Sequence, residues 1–214
     1  MDDIFKFWHG LTGDNARVHP ADKTVLTRVK HHFEDRCFAE PFRGPLRTAP
    51  VVLLFLAPGL HERDLVHSPD AHAFYLWQRT GLCDLPSEEE HKTARDWAIQ
   101  VIKQFDVDYE SVRSKFAFLN IAPYRSSSFH DRSMLAALPS ARVALGWAQT
   151  VLFPEAEDGN RTVVCLRSPT YWGFDKGERY GKSLFAPECN RAGRMHNGKT
   201  RDEAVSAVRR AISR

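Results

Sequence analysis

The most continuous hydrophobic stretch of the chain runs from Val51 to Leu56, and Ala57-Pro58-Gly59 ends it abruptly. Apolar residues without alternation are typical of a strand that is buried on both faces, as in a parallel sheet. Pro58 cannot donate a ladder hydrogen bond and Gly59 tolerates unusual dihedral angles, so the turn predicts a sharp exit from the sheet. Because ligands bind at the carboxyl ends of strands in open α/β sheets, we expect a site at this turn.

Similar patterns predict three further strands and several helices, which alternate along the chain. The predicted strands cover about 50–57, 115–121, 141–146 and 162–167, and 141–146 also fits the start of a helix. The predicted helices cover about 22–37, 71–79, 86–105, 131–138, 147–153 and the region after 200, where Thr200 to Glu203 has the form of a capping box. Residues 38–48 and 167–199 read as loops. This alternation favours a parallel sheet covered by helices on both faces.

Composition is that of a folded α/β protein. The 214 residues are 43% hydrophobic and 27% charged, which suits a single domain over 1–214 with an N-terminal helical extension over about 1–45. No apolar run approaches the roughly 20 residues that cross a bilayer, and the acidic start at Asp2 and Asp3 is unlike a secretory signal. We therefore expect a cytoplasmic protein without a membrane partner.

The four cysteines, Cys37, Cys83, Cys165 and Cys189, form no C-x-x-C pair. This spacing argues against a zinc ribbon, and Cys165 lies in a strand-like run where a buried thiol is expected. Reduced thiols and no metal site are the prediction.

Positive charge is concentrated at the C-terminal end. Residues 160–214 hold twelve Lys and Arg against five Asp and Glu, a net charge of +7, whereas residues 1–159 carry −4. Such a segment favours a polyanionic partner, although a merely solvated basic surface has the same composition.

Four motifs, in order, resemble those of the uracil-DNA glycosylase superfamily. They are Ala57-Pro58-Gly59-Leu60-His61-Glu62, Phe118-Leu119-Asn120-Ile121, Val143-Ala144-Leu145-Gly146-Trp147-Ala148-Gln149 and Leu166-Arg167-Ser168-Pro169. The resemblance implies a three-layer α/β/α fold with a central four-stranded parallel sheet. It also implies that Asn120 reads the edge of a base that has been flipped out of DNA.

The sequence departs from that family at its catalytic positions. Leu56 and Ala57 stand where branches of the family have Glu, Asn or Asp, and Leu166 or Arg167 stands where the second motif has His. The cysteine spacing does not match the iron–sulfur branch, so no cluster or other cofactor is expected. The remaining candidates for catalysis are Glu62, Asp64 and His61, and the two carboxylates also suit ordinary charges at a helix N-terminus.

The candidate base-binding residues lie on the first two motifs and on one helix. They are Ala57, Pro58, Gly59, Phe74 and Asn120. Asn120 can present both an acceptor and a donor to a base, or it can close the strand end in an Asx turn. Phe74, like its neighbour Tyr75, can stack on a base or pack in the core.

Aromatic and cationic residues alternate after the last motif, a pattern that suits contact with nucleic acid. The predicted nucleic-acid-binding residues are Arg167, Ser168, Pro169, Tyr171, Trp172, Lys176, Arg179 and Lys182. Aromatic residues that pack within their own domain would give the same pattern.

Three functional hypotheses follow. The first is a base-excision glycosylase with altered catalytic residues, and the second is a non-catalytic nucleic-acid-binding module on the same fold. In both cases the expected partner is nucleic acid, with DNA favoured by the resemblance. The third is a small-molecule enzyme on an unrelated α/β sheet, which a deep pocket without a basic rim would favour.

Overall fold

The central strand of the sheet is β2 (Val51–Phe55), as its uninterrupted apolar run predicts. A computed structural model describes residues 3–65, 69–127, 129–130 and 132–214. All five residues of β2 are buried, and the strand pairs in parallel with β3 (Phe116–Asn120) on one side and β4 (Thr162–Cys165) on the other. The predicted strands at 50–57, 115–121 and 162–167 are therefore confirmed.

The described residues form one sheet of six strands, in the order β1-β3-β2-β4-β6-β5. The three remaining strands are β1 (Phe42–Arg43), β5 (Glu178–Tyr180) and β6 (Leu184–Ala186). β6 pairs in parallel with β4, whereas β1 and β5 pair antiparallel with β3 and β6. The sheet is thus mixed and has six strands in place of the four that the sequence predicts. Its four inner strands, β3, β2, β4 and β6, run parallel to one another.

Two segments differ from the strand and the loop predicted for them, although for 141–146 the sequence also allows the start of a helix. Residues 141–146, one of the four predicted strands, lie in helix α7 (Pro139–Trp147), where Pro139 occupies the first turn. Proline favours that position because its fixed φ suits a helix and no hydrogen bond is lost. The predicted loop 167–199 contains a helical turn and both strands β5 and β6, which at three residues each are too short to show a period.

Helices cover both faces of the sheet. Their bounds are α1 (Ile4–Trp8), α2 (Asp14–Arg17), α3 (Pro20–Arg28), α4 (Pro69–Gln78), α5 (Glu88–Ile102), α6 (Tyr109–Val112), α7 (Pro139–Trp147), α8 (Phe153–Glu157), α9 (Pro169–Trp172) and α10 (Lys199–Ile212). Helices α1, α3, α7 and α8 contribute to one apolar cluster, and α5 and α10 contribute to the other. The alternation of β2 divides its side chains between the clusters: Val52 and Leu54 face the first, and Leu53 and Phe55 the second.

Helix boundaries differ from the sequence predictions at several ends. The helix predicted for 22–37 ends at Arg28, and the one predicted for 131–138 is only a 3₁₀ turn at Arg132–Met134. Residue 131 itself lies outside the described residues. The helix predicted for 86–105 is confirmed as α5, whose first turn has a capping box between Ser87 and Glu90.

The predicted capping box of the last helix is wrong. Gly198 is the N-cap of α10, without a side-chain cap, and the Thr200 hydroxyl donates to the carbonyl of Gly177 instead. That bond ties α10 to the start of β5. Within the described ranges, no helix has the length and apolar character needed to cross a membrane.

Candidate functional site

A cavity of about 270 Å³ opens at the carboxyl ends of β2 and β3; we refer to it as the β2–β3 cavity. The predicted exit turn, Ala57, Pro58 and Gly59, forms part of its wall, and Asn120 at the end of β3 forms another part. These residues meet because neighbouring parallel strands end at the same edge of the sheet.

Leu56 does not belong to this wall. It is buried in the apolar cluster on the opposite face of the sheet, whereas Ala57 lines the β2–β3 cavity. Of the two positions where the resembled family has a catalytic side chain, only Ala57 would therefore direct a substituted side chain toward the cavity.

One wall of the cavity is aromatic. The ring centroids of Phe55 and Trp97 lie 5.3 Å apart, those of Trp97 and Phe118 lie 5.2 Å apart, and those of Phe55 and Phe118 lie 5.8 Å apart. Trp97 is 43% exposed. Since a large exposed aromatic ring beside two buried ones is costly to leave in water, this wall suits a planar ligand.

Beside this wall, hydrogen bonds hold the Asn120 amide in one orientation; Asn120 is the β3 residue that pairs in register with Phe55 of β2. The side-chain Nδ2 donates to the carbonyl of Glu40 at 2.9 Å, and the backbone N–H of Asn120 donates to the carbonyl of Pro41 at 2.9 Å. Among the described residues, Oδ1 accepts no hydrogen bond. This geometry differs from an Asx turn and leaves an acceptor for a ligand.

Beneath these residues lies a buried chain of ion pairs. Glu40 pairs with Arg43 and with Arg125, each at 2.5 Å, and Arg125 also reaches Oδ2 of Asp64 at 3.1 Å. Arg125 further donates to the carbonyl of Gly59 at 2.8 Å and to the hydroxyl of Tyr75 at 3.0 Å. The chain therefore fixes the exit turn of β2 against the end of β3.

These charges shift one another's pKa. Burial alone would raise the pKa of Glu40, but the charges of Arg43 and Arg125 outweigh burial and hold that pKa below its ordinary 4.5. Burial would lower the pKa of Arg125, but Glu40, Tyr75 and Asp64 together raise it. Glu40 and Arg125 thus both remain ionised at neutral pH.

The charges around the cavity are balanced. Two arginines, Arg43 and Arg125, face two carboxylates, Glu40 and Asp64, so neither cation is left for an anionic ligand. One donor does remain, because the buried Nε–H of Arg43 has no acceptor within the described part of the chain. The cavity thus suits a neutral planar molecule with hydrogen-bonding edges rather than a phosphate or a carboxylate.

The predicted catalytic candidates have different positions. Asp64 lines the cavity with a side chain that is 6% exposed; its Oδ2 accepts from Arg125 and from the His61 N–H at 2.7 Å. Its Oδ1 accepts no hydrogen bond from any described residue. His61 also lines the cavity, but Glu62 is exposed and does not.

Phe74 also lies away from the cavity wall. It is buried, its ring centroid is 5.1 Å from His91 and 5.3 Å from Tyr75, and it is not among the lining residues. Its neighbour Tyr75 takes part in the site through its hydroxyl, which accepts from Arg125. Phe74 therefore packs in the core, which is one of the two roles that the sequence allows, and does not stack on a ligand in this cavity.

A second cavity of about 430 Å³ adjoins the first, and we name it the basic cavity. Arg132, Arg167, Lys176 and Arg191 line it, and none of its described lining residues is acidic. Arg167 is half-buried, and burial lowers its pKa. Ser168, Pro169 and Tyr171, also predicted from the sequence, belong to the same wall.

Gly193 lies near residues of both cavities. A Cβ added there would lie 3.6 Å from the Phe55 ring and 3.7 Å from Cδ of Arg167, so the same glycine touches one residue of each cavity. Phe55 of the β2–β3 cavity and Arg167 of the basic cavity therefore approach the same glycine.

Three predicted nucleic-acid-binding residues are not in this wall. Trp172 is 1% exposed and packs against Phe153, so its ring is not available at the surface, whereas Tyr171 is exposed. Arg179 pairs with Glu203 at 3.5 Å, and Lys182 packs over Gly159. Neither of these cations lines the basic cavity.

Sequence reasoning missed Glu40, Arg43, Arg125 and Trp97. The first two lie in the segment that we read as a loop, Arg125 follows the strand break at Pro123, and no spacing connects them. Only the antiparallel pairing of β1 with β3 brings Glu40 and Arg43 beside Asn120. The described residues contain no group of three His, Cys, Asp or Glu side chains that could hold a metal ion.

Comparison of the chain with protein-family models, with curated proteins and with solved structures gave no match.

Proposed function

We propose that the protein binds a nucleobase of a nucleic-acid strand in the β2–β3 cavity, on a fold like that of the uracil-DNA glycosylases. The observation that carries this proposal is the Asn120 amide, held in one orientation by Glu40, beside an aromatic wall in a charge-balanced cavity. The three-layer arrangement and the DNA preference of that superfamily are part of the same proposal.

The size and chemistry of the cavity support a single base. A volume of about 270 Å³ lies just below the range of about 300–1,000 Å³ that drug-sized ligands use. Stacking on an aromatic side chain contributes roughly 1–3 kcal/mol per base. The free Oδ1 of Asn120 accepts from a ring N–H, and the second hydrogen of Nδ2 donates to the adjacent carbonyl. Uracil and hypoxanthine have such an edge.

The basic cavity supports a nucleic-acid strand over a free base. Its cations adjoin the base-sized cavity across Gly193, and phosphate contacts supply affinity while base contacts supply specificity. A small-molecule enzyme, the third hypothesis from the sequence, has no need for such a rim.

The test replaces Asn120 with Ala and measures binding to oligonucleotides that carry one uracil, hypoxanthine, xanthine or cytosine. Base-edge contacts contribute about 1–3 kcal/mol to discrimination, so we expect preference among the bases to fall roughly tenfold while affinity for an unmodified strand stays unchanged. Asn15→Ala, at an exposed position of α2, is the matched control. If Asn120→Ala lowered affinity equally for every oligonucleotide, Asn120 would only stabilise the end of β3 and would not contact the base.

A second candidate function, hydrolysis of the glycosidic bond, is favoured by Asp64. One oxygen of this carboxylate is anchored and the other is available to orient a water. In that reaction the water oxygen bonds to C1′ and its proton passes to Asp64. The base leaves with the electrons of the broken bond, and Asn120 or the Nε–H of Arg43 stabilises its charge.

Replacing Asp64 with Asn tests this candidate. A positioned carboxylate contributes on the order of 100- to 10,000-fold in rate, so abasic-site formation by Asp64→Asn should fall by that factor. Glu62→Gln, in the same 3₁₀ turn but outside the cavity, should keep the full rate. We expect even the native rate to be low because Leu56 and Ala57 replace the usual catalytic residues. If the native protein shows no measurable cleavage but still discriminates between bases, it acts as a non-catalytic binding module.

A further inference from the structure

A third cavity lies at the opposite edge of the sheet, where the parallel strands begin; we name it the amino-edge cavity. Its volume is about 300 Å³. Pro50 precedes β2, Lys115 precedes β3, Thr162 starts β4 and Ser183 precedes β6, and all four line it. Neither the motifs of the sequence nor the proposed function accounts for this cavity.

Its charge is positive. Lys115, Arg161, Arg210 and Arg214 line it, and no acidic side chain does among the described residues. Arg161 is occupied, since it pairs with Glu155 at 3.1 Å and donates to the carbonyls of Leu46 and Arg47. Lys115 and Arg210, in contrast, have no ion-pair partner in the described part of the chain. Two cations therefore face the same space without a counter-charge.

Neutral hydrogen-bond donors line the amino-edge cavity together with these cations. Asn160, Thr162 and Ser183 line the cavity, and no described residue bonds to the side-chain amide of Asn160 or to the hydroxyls of Thr162 and Ser183. Hydroxyl, amide and cationic N–H groups that converge without an acceptor suit an oxyanion, because charge-assisted hydrogen bonds to phosphate are the strong ones. The described residues that line it include no aromatic side chain.

We propose that the amino-edge cavity binds a phosphate group through Lys115 and Arg210, with Thr162 and Ser183 as neutral donors. The five residues of β2, at about 3.3 Å each, separate this cavity from the β2–β3 cavity by roughly 17 Å. It is therefore a second site, and it does not depend on the proposed nucleobase function. The phosphate can belong to a free nucleotide or pyrophosphate, or to the backbone of a nucleic acid.

The experiment titrates pyrophosphate into the whole protein and follows the backbone amides by two-dimensional NMR. The amides of Asn160, Thr162 and Ser183 should shift together and saturate at millimolar ligand. Arg210→Ala and Lys115→Ala should each weaken this binding about tenfold, the usual loss for a charged hydrogen bond. Arg201→Ala removes the same charge from the same helix outside the cavity and should leave the affinity unchanged.

A single-stranded oligonucleotide, titrated in the same way, identifies the source of the phosphate. Shifts at the same three amides assign the site to a nucleic-acid backbone, and shifts only with pyrophosphate assign it to free phosphate compounds; either result supports the site. The proposal is overturned when pyrophosphate leaves these amides unchanged, or when Arg201→Ala weakens binding as much as Arg210→Ala. Because amides near Arg167 report on the basic cavity separately, failure here is distinguishable from failure of the proposed function.

Discussion

At the scale of single residues, the site depends on two side chains that line the β2–β3 cavity, Asn120 and Trp97. The Nδ2 of Asn120 donates to the carbonyl of Glu40, and this bond orients the amide so that its Oδ1 remains available to a ligand. Trp97 leaves 43% of its surface exposed beside the rings of Phe55 and Phe118. In the proposed function the first reads the base and the second holds it.

Trp97→Ala should therefore weaken binding of a base-containing oligonucleotide by roughly 5- to 150-fold, the equivalent of 1–3 kcal/mol of stacking. Trp77→Ala is the matched control, since Trp77 is 50% exposed on α4 and does not line the cavity. Fluorescence anisotropy with the same labelled oligonucleotide measures both variants. A loss of the same size in both would show that Trp97 acts without contacting the base.

At the scale of elements, the ion-pair chain holds three segments in place: the β1 region with Glu40 and Arg43, the segment after β3 with Arg125, and the turn after β2 with Asp64. Each charge is buried, so each depends on its partners. Removing one member of such a chain leaves an uncompensated buried charge, which typically costs about 3–5 kcal/mol.

Glu40→Gln should lower the free energy of unfolding by about that amount at neutral pH, measured by urea denaturation. Glu110→Gln, which breaks the exposed pair with Arg95, should cost about 1 kcal/mol or less.

Because the pKa of Glu40 is lowered in the fold, its contribution to the free energy of unfolding is present above pH 4.5 and is lost as the pH falls through the folded-state value. The stability gap between wild type and Glu40→Gln should thus narrow below pH 4.5. A gap that stays constant in acid would mean that Glu40 is not ionised in the folded protein.

The same elements explain what could be predicted from the sequence. Val51–Phe55 and Phe116–Asn120 are long apolar runs, so their strands, their shared carboxyl edge and the meeting of Gly59 with Asn120 were all predictable. Glu40, Arg43 and Arg125 were not, because their proximity depends on the two-residue pairing of β1 with β3. Residues 141–146 look like a strand by composition, but Pro139 and packing against the sheet make them helical.

At the scale of the whole molecule, base recognition and contact with the phosphate backbone are assigned to two neighbouring cavities. The β2–β3 cavity has paired charges and an aromatic wall, whereas the basic cavity has four cations and no acidic residue among its described lining. Base identity should thus affect affinity at any salt concentration, and the cations should set the salt dependence. Arg179 and Lys182, which the sequence also suggested, lie outside the basic cavity and should contribute little to it.

The most direct measurement compares one single-stranded oligonucleotide with and without its base across a range of salt concentrations. For the base that the wild-type protein prefers among uracil, hypoxanthine and xanthine, an abasic analogue at the same position should bind at least about tenfold more weakly, with an unchanged salt slope. The double variant Arg167→Ala with Lys176→Ala should retain that preference but reduce the slope by about 1.4, or 0.7 for each lost phosphate contact. The double variant Arg179→Ala with Lys182→Ala should keep both the preference and the slope. An abasic strand that binds as tightly as the base-containing strand would contradict the account, because no base would then occupy the β2–β3 cavity.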